Sequence, residues 1–184
     1  ALYATDASIY QVEPGAVAFP RSTVQLSDVI RTAAETGMSV TLRGAGTGLV
    51  GGALGEGLVV DASRHLTAID DLDLEAGMVC VGAGVVLDRL NAFLAPHRLW
   101  FGPDVATSSR ATLGGMIANN SSGARAPVYG TTTDHVVALE LVLADGTVAW
   151  VGPGRDGLPE VRRMTDEIVA RSADAIAERM PPGL

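Results

Sequence analysis

Residues 43–52 read RGAGTGLVGG, five glycines in ten positions, directly after the apolar run MSVTL. Such a loop raises the question of what it holds. Bare backbone lets successive N–H groups turn into one concavity and grip an anion. Each N–H donated to a charged oxygen is worth about 1.5–3 kcal/mol. A side chain would block that approach, and a left-handed φ would cost a non-glycine residue about 1–2 kcal/mol. The competing reading is a surface turn without a ligand. The apolar strands on either side of the loop weigh against it.

Within the loop, Gly46-Thr47-Gly48-Leu49-Val50-Gly51 satisfies the G-x-G-x-x-G pattern. In nicotinamide-binding folds that pattern opens a helix whose N-terminus meets a pyrophosphate. Here only Gly52, Ala53, Leu54, Gly55, Glu56 and Gly57 precede the next apolar run at Leu58. A crossover with a helix needs about ten or more residues. The pattern lacks its context, so the nicotinamide reading falls while the anion-nest logic stands.

A second glycine pair lies in TLGGMIANN, residues 112–120. Thr112 suits the N-cap of a short helix that begins Leu113-Gly114-Gly115. Its first N–H groups would be orphan donors carrying partial positive charge. Two glycine-lined sites suit one long ligand better than two unrelated turns. Other chemistry is sparse. The single cysteine, Cys80, excludes an internal disulfide and a cysteine-ligated metal or iron–sulfur site. It reads as a small buried strand residue. His65, His97 and His135 have no partner at metal-ligand spacing, so no metal site is expected and packing or surface roles are favoured. No Ser-His-Asp or paired-carboxylate set emerges.

The elements that must position these loops follow from periodicity. AVAF before Pro20 is strand-like. VQLSDVIRTAAETG places Val24, Val29, Ile30, Ala33 and Ala34 on a helical period, with Gly37 as stop. MSVTLR and GLVVDAS are strands. Together they make a small βαβ lobe over about 15–65. A second lobe covers about 66–184. TAIDDLD and GMVCVGAG are its first strands, followed by a helix, VVLDRLNAFLAPH, with Val86, Leu87, Leu90, Phe93 and Leu94 inward. VVALELVLADGTVAWV is a hairpin around Asp145-Gly146. LPEVRRMTDEIVARSADAIAERM is one amphipathic helix stopped by Pro181-Pro182. The fold class is α+β: two packed α/β lobes, the larger built on a mixed or antiparallel sheet with flanking helices. No Pro- or Ser-rich linker parts them.

The 184 residues carry 47% apolar and 18% charged side chains, with a net charge of −8. That charge opposes a nucleic-acid partner, which needs a basic footprint. Glycine, at 22 residues, exceeds its ordinary share of about 7%. No apolar run reaches the roughly 18 residues of a membrane span. The start, ALYATDASIY, lacks the plan of a signal peptide. A cytoplasmic location is the expectation.

The ordered set of motifs resembles one family: the FAD-binding domain of the vanillyl-alcohol-oxidase type, as in flavin-linked D-2-hydroxyacid dehydrogenases. It covers nearly the whole chain. The family's R-G-x-G-T appears as Arg43-Gly44-Ala45-Gly46-Thr47, and P-D-P-x-S as Pro103-Asp104-Val105-Ala106-Thr107. T-I-G-G appears as Thr112-Leu113-Gly114-Gly115, and N-A-G-G as Asn120-Ser121-Ser122-Gly123. Tyr129-Gly130 and Asp134-His135-Val136 complete it.

The resemblance implies that residues 1–184 are one FAD-binding domain with FAD between its lobes. It implies that Gly44, Ala45, Gly46, Thr47 and Gly48 cradle the pyrophosphate. Thr107 keeps the hydroxyl of the family serine. Thr112, Gly114, Gly115, Asn120 and Gly123 approach the cofactor, and Val136 meets the adenine through its backbone. Pro103 belongs to the same cofactor-binding set. Arg43, at the end of a strand, suits a structural ion pair more than a ligand, and Asp104 and Tyr129 stay open between the two roles. Val105 replaces the family proline, which loosens the loop, and Ser121-Ser122 replaces Ala-Gly. Some relatives attach flavin through a histidine where this chain has Thr47, so non-covalent FAD is expected. The implied activity is oxidation of a 2-hydroxyacid such as D-lactate, glycolate or D-2-hydroxyglutarate by hydride transfer to FAD. The substrate and the catalytic groups would belong to a cap domain outside this chain, leaving this fragment inactive alone. An iron–sulfur or quinone electron acceptor is a further expected partner, the run ATSSRATLGGMI being most similar to iron–sulfur-fused members. An enolpyruvyl reductase with this FAD fold and a non-catalytic nucleotide-binding module are the alternatives.

Overall fold

A computed structural model describes residues 2–180. Two units emerge: residues 1–136 with 142–148, and residues 137–141 with 149–184.

The first unit begins with a three-stranded parallel sheet, β1 (Ala16–Ala18), β2 (Val40–Arg43) and β3 (Leu58–Asp61), in the order β1-β3-β2. Helix α1 (Thr23–Glu35) connects β1 to β2. Ser22 caps it by accepting from the Gln25 N–H at 3.2 Å, and Gly37 ends it at φ +67°. Its buried line is Ser27, Ile30 and Ala33. Val24 and Ala34, expected inward, are exposed, because a sheet of three- and four-residue strands covers only one narrow stripe of the helix. β2 and β3 are parallel neighbours, and the connection between them, residues 44–57, contains no helix. The glycine loop is therefore the entire crossover.

β4 (Ile69–Asp73) and β5 (Met78–Val81) form an antiparallel ribbon. Val79 and Val81 pack with Ile69 and Leu72 onto a core of Val85, Leu90, Leu94 and Leu113. Cys80, on the alternate face, is exposed. This corrects the expectation of a buried thiol: a two-stranded ribbon with one face covered leaves every second residue outside. Helix α2 (Leu87–Leu94) buries Leu87, Leu90 and Leu94. Phe93 falls off that line and is 40% exposed. Short helices α3 (Leu113–Ala118) and α4 (Ala126–Tyr129) and a 3-10 turn at Thr132–His135 follow. The turn around Gly146 docks on α1, where the Ser27 hydroxyl donates to the Gly146 carbonyl.

The second unit holds most of the sheet β6-β7-β8, with β6 at Leu139–Val142, β7 at Val148–Gly152 and β8 at Arg155–Asp156. The single terminal helix expected from the sequence is two, α5 (Pro159–Arg171) and α6 (Ala173–Arg179), broken at Ser172. Neither buries a residue, so no packing enforces a continuous rod through the serine. Pro181 and Pro182, expected as its stop, lie outside the described residues.

Leu90 is 1% exposed at the centre of the first unit's core. Leu90→Ala should destabilise the chain by about 2–5 kcal/mol, read from the denaturant midpoint at unchanged slope.

Candidate functional site

The chain folds so that its two glycine-lined stretches meet at one side chain. Thr112 is 3% exposed, and its Oγ1 has no hydrogen-bond partner among the described residues. A Cβ built on Gly44 would collide with that oxygen, and one on Gly115 would lie 3.2 Å from it. The Arg43–Gly48 loop and the start of α3 therefore converge on a buried, unpartnered hydroxyl. No acceptor among the described residues takes the N–H groups of Gly44, Ala45, Gly46, Thr47 or Gly48. Five successive unclaimed donors beside an orphan hydroxyl are what an anionic group needs.

A short antiparallel pairing holds Thr112 there. Val86 bridges Thr112, the Leu87 N–H donates to the Ala111 carbonyl at 3.0 Å, and the Leu113 N–H donates to the Val85 carbonyl at 2.8 Å. The Gly114 N–H donates to the Ala83 carbonyl, also at 2.8 Å. The expectation of free donors along the first turn of α3 is corrected here, because residues 83–85 consume two of them. Gly115 keeps its N–H without an acceptor among the described residues. Gly114 serves close packing, since a Cβ there would lie 2.8 Å from that of Ala83. Thr112 occupies the N-cap position but makes no side-chain cap, which leaves its hydroxyl uncommitted.

The remaining residues singled out from the sequence are not brought to this hydroxyl; Asp104 and Tyr129 line a separate cleft with Leu87, Trp100, Phe101 and Arg125. Pro103 is fully buried. Asp104 accepts from the Arg125 N–H at 3.2 Å and pairs with its guanidinium at 3.5 Å. A Cβ on Gly123 would strike the Asp104 carboxylate, so that glycine is needed for close approach of chain to chain. Asn120, at φ +43°, accepts from the Thr133 N–H at 2.9 Å and its hydroxyl at 2.7 Å. Thr107 is exposed, while its carbonyl accepts from the Arg110 and Ala111 N–H groups at 2.8 Å. The Tyr129 ring stands edge-on to Trp100 at 6.1 Å, and its carbonyl accepts from His135 Nε2 at 2.7 Å. The Val136 N–H donates to Thr133.

Arg43 spends its guanidinium on the chain itself. Nη2 donates to the Thr5 carbonyl at 2.9 Å and Nη1 to the Ala53 carbonyl at 3.2 Å, with the Tyr3 ring centre 5.4 Å from Cζ. Its side-chain hydrogen bonds go to these carbonyls, and the Asp6 carboxylate lies near enough to feel its charge. Sequence reasoning missed Ala83, Val85, Thr5 and Ala53, because their contribution is a carbonyl, which every residue type carries.

With this geometry in view, the comparisons with known proteins are direct. The FAD binding domain family matches residues 14–152, and the chain belongs to that family. The D-2-hydroxyglutarate dehydrogenase of Escherichia coli (strain K12) is 42% identical over 178 residues, 95% of this chain and 18% of that protein. The D-lactate dehydrogenase of Archaeoglobus fulgidus is 39% identical over 135 residues, 72% of this chain and 30% of that protein. The chain thus spans under a third of the length of either relative. The crystal structure of 6-hydroxy-D-nicotine oxidase from Arthrobacter nicotinovorans aligns with a TM-score of 0.72 at 22% identity, over 82% of this chain and 33% of that one. The fold is shared, and FAD is the cofactor of the family. The orphan Thr112 hydroxyl and the unclaimed loop donors fit a pyrophosphate. Among the described residues, no helix is long and apolar enough to cross a membrane.

Two outcomes follow. A buried hydroxyl without a partner costs about 1–3 kcal/mol, so Thr112→Val, which keeps the shape, should raise the stability of the cofactor-free chain by about 1 kcal/mol in urea titrations. The Thr131 N–H and hydroxyl, at 2.7 and 3.1 Å, hold the Asp134 carboxyl below the ordinary 3.8. A depressed folded-state value means that this capping contact is intact above 3.8 and is lost as pH falls through the lower value. The Thr131 amide resonance, followed by NMR, should titrate with a midpoint below 3.8.

Proposed function

We propose that this chain is the FAD-holding part of a flavin-dependent oxidoreductase that oxidises a 2-hydroxyacid. The convergence of two glycine-lined stretches on the Thr112 hydroxyl carries the reading of the site. The printed activities of the relatives, D-2-hydroxyglutarate and D-lactate dehydrogenation, support the substrate class. FAD, when bound, supplies the acceptor for a hydride from the alcohol carbon.

The chain's own residues hold and orient it. N–H groups of Gly44 to Gly48 and of Gly115 would donate to pyrophosphate oxygens, and the Thr112 hydroxyl would add one more donor. The close packing of Gly114 on Ala83, with its N–H on the Ala83 carbonyl, fixes the start of α3, and with it Thr112 and Gly115, before any ligand arrives. That preorganisation lowers the ordering cost of binding. Thr47 offers no side chain for flavin attachment, so the cofactor is held without a covalent bond. Recognition of the hydroxyacid and the proton-transfer groups belong to further chain of the longer protein, and an iron–sulfur or quinone acceptor would reoxidise the flavin.

Purified chain incubated with FAD should turn yellow and, after acid precipitation, release all flavin to the supernatant. Flavin retained on the precipitate would refute the non-covalent mode, and a chain that stays colourless would refute the site. Thr112→Val should weaken FAD binding about tenfold, the effect of one lost hydrogen bond to a charged group. In a longer protein that includes the following domain, a D-2-hydroxyacid should bleach the flavin. Bleaching by NADPH alone would point instead to a reductase.

A further inference from the structure

The glycine loop is held from one side by a segment that precedes the family's matched stretch, which starts at residue 14. Residues 2–12 fold back on themselves. Leu2–Ala4 is a 3-10 turn, Thr5 bridges Gln11, and the Val12 N–H donates to the Ala4 carbonyl at 2.9 Å. The Tyr3 hydroxyl donates to Asp61 Oδ2 at 2.8 Å, tying the segment to the end of β3.

The loop has two glycines in the left-handed region, Gly46 at φ +68° and Gly51 at φ +76°. Both are contact points of this segment. The Ala7 N–H donates to the Gly46 carbonyl at 3.0 Å, and a Cβ on Gly51 would lie 2.9 Å from the Tyr10 ring. Arg43 closes the arrangement. It joins the Thr5 carbonyl on the segment to the Ala53 carbonyl beyond the loop, over the Tyr3 ring. Its Nη2 also lies 2.7 Å from where a Cβ on Gly46 would sit. In a trans peptide the carbonyl and the following N–H point opposite ways. Fixing the Gly46 carbonyl on Ala7 therefore aims the Thr47 N–H away from the segment.

We propose that residues 2–11 form a clasp that presets the Gly44–Gly48 nest, and that Arg43 is a positioning residue acting through this clasp and not a ligand of the phosphates. The proposal rests on the reading of that loop as the pyrophosphate site. A loop freed from the clasp samples other conformations, and apparent affinity falls by the fraction of time that the nest is formed.

The test compares the native chain with Arg43→Met, which keeps an unbranched stem and removes both donors, and with Tyr10→Ala, a half-exposed position that leaves the fold intact. Hydrogen exchange of amides 44–52 is measured without FAD, and FAD dissociation constants are measured across a salt series. In Arg43→Met, loop exchange should rise about tenfold with β2 and β3 protection unchanged, and the FAD dissociation constant should rise by a similar factor with an unaltered salt slope. Tyr10→Ala should shift both in the same direction by less. Unchanged loop exchange with a flattened salt slope would overturn the proposal in favour of a direct Arg43–phosphate contact. Unchanged exchange and affinity in both variants would overturn it outright. If Arg43→Met fails to fold, Tyr10→Ala decides by the same criteria. If the native chain takes up no FAD, the site reading fails, while the exchange measurement still judges the clasp.

Discussion

Two parallel strands joined without a helix leave a connection whose backbone has no hydrogen-bond ladder of its own. This is the constraint on which the proposed cofactor site depends. β2 and β3 are neighbours in one sheet, and residues 44–57 carry the chain between them. A helix would satisfy most of its own N–H groups; in this loop only Leu54 donates to a loop carbonyl, that of Gly51, among the described residues. Its carbonyl at Gly46 and its flanks at Arg43 and Ala53 are served from within the chain. The N–H groups of Gly44 to Gly48 have no acceptor among the described residues. Five adjacent donors without a partner among the described residues are open to an anion, which is the basis of the proposed site.

The second constraint is the pairing of residues 85–87 with 111–113. It sets α3 against the loop so closely that a Cβ on Gly44 would collide with Thr112 Oγ1 and one on Gly115 would crowd it. The same pairing uses the N–H groups of Leu113 and Gly114, so α3 contributes less through its helix end than through where it places Thr112 and Gly115. Both glycine motifs act at one place. In one, glycine supplies donors; in the other, mainly room.

Much of this was legible in the sequence, for physical reasons. α1 has a capping serine, a helical period and a stopping glycine, all local signals. The helix-free crossover followed from counting six residues between Gly51 and Leu58. The ordered motifs led to the family. What was hidden depended on tertiary arrangement. Cys80 sits in an apolar strand, but which face of a two-stranded ribbon is covered is not written in the ribbon. Phe93 lies next to the packed line of α2, where a small angular error turns inward into outward. The break at Ser172 arises where no core holds α5 and α6 in line. The role of the N-terminal segment rests on carbonyls of Thr5 and Gly46, which no residue type advertises.

The central claim is that the unclaimed donors of the loop and of Gly115 bind FAD together. An isotope-labelled sample titrated with FAD, followed through its backbone amide resonances, addresses this directly. The account predicts that the largest shifts fall on Gly44 to Gly48 and Gly115, while Leu113 and Gly114, whose N–H groups already have partners, move little. Shifts confined to other residues, or a loop that does not respond to FAD, would contradict it.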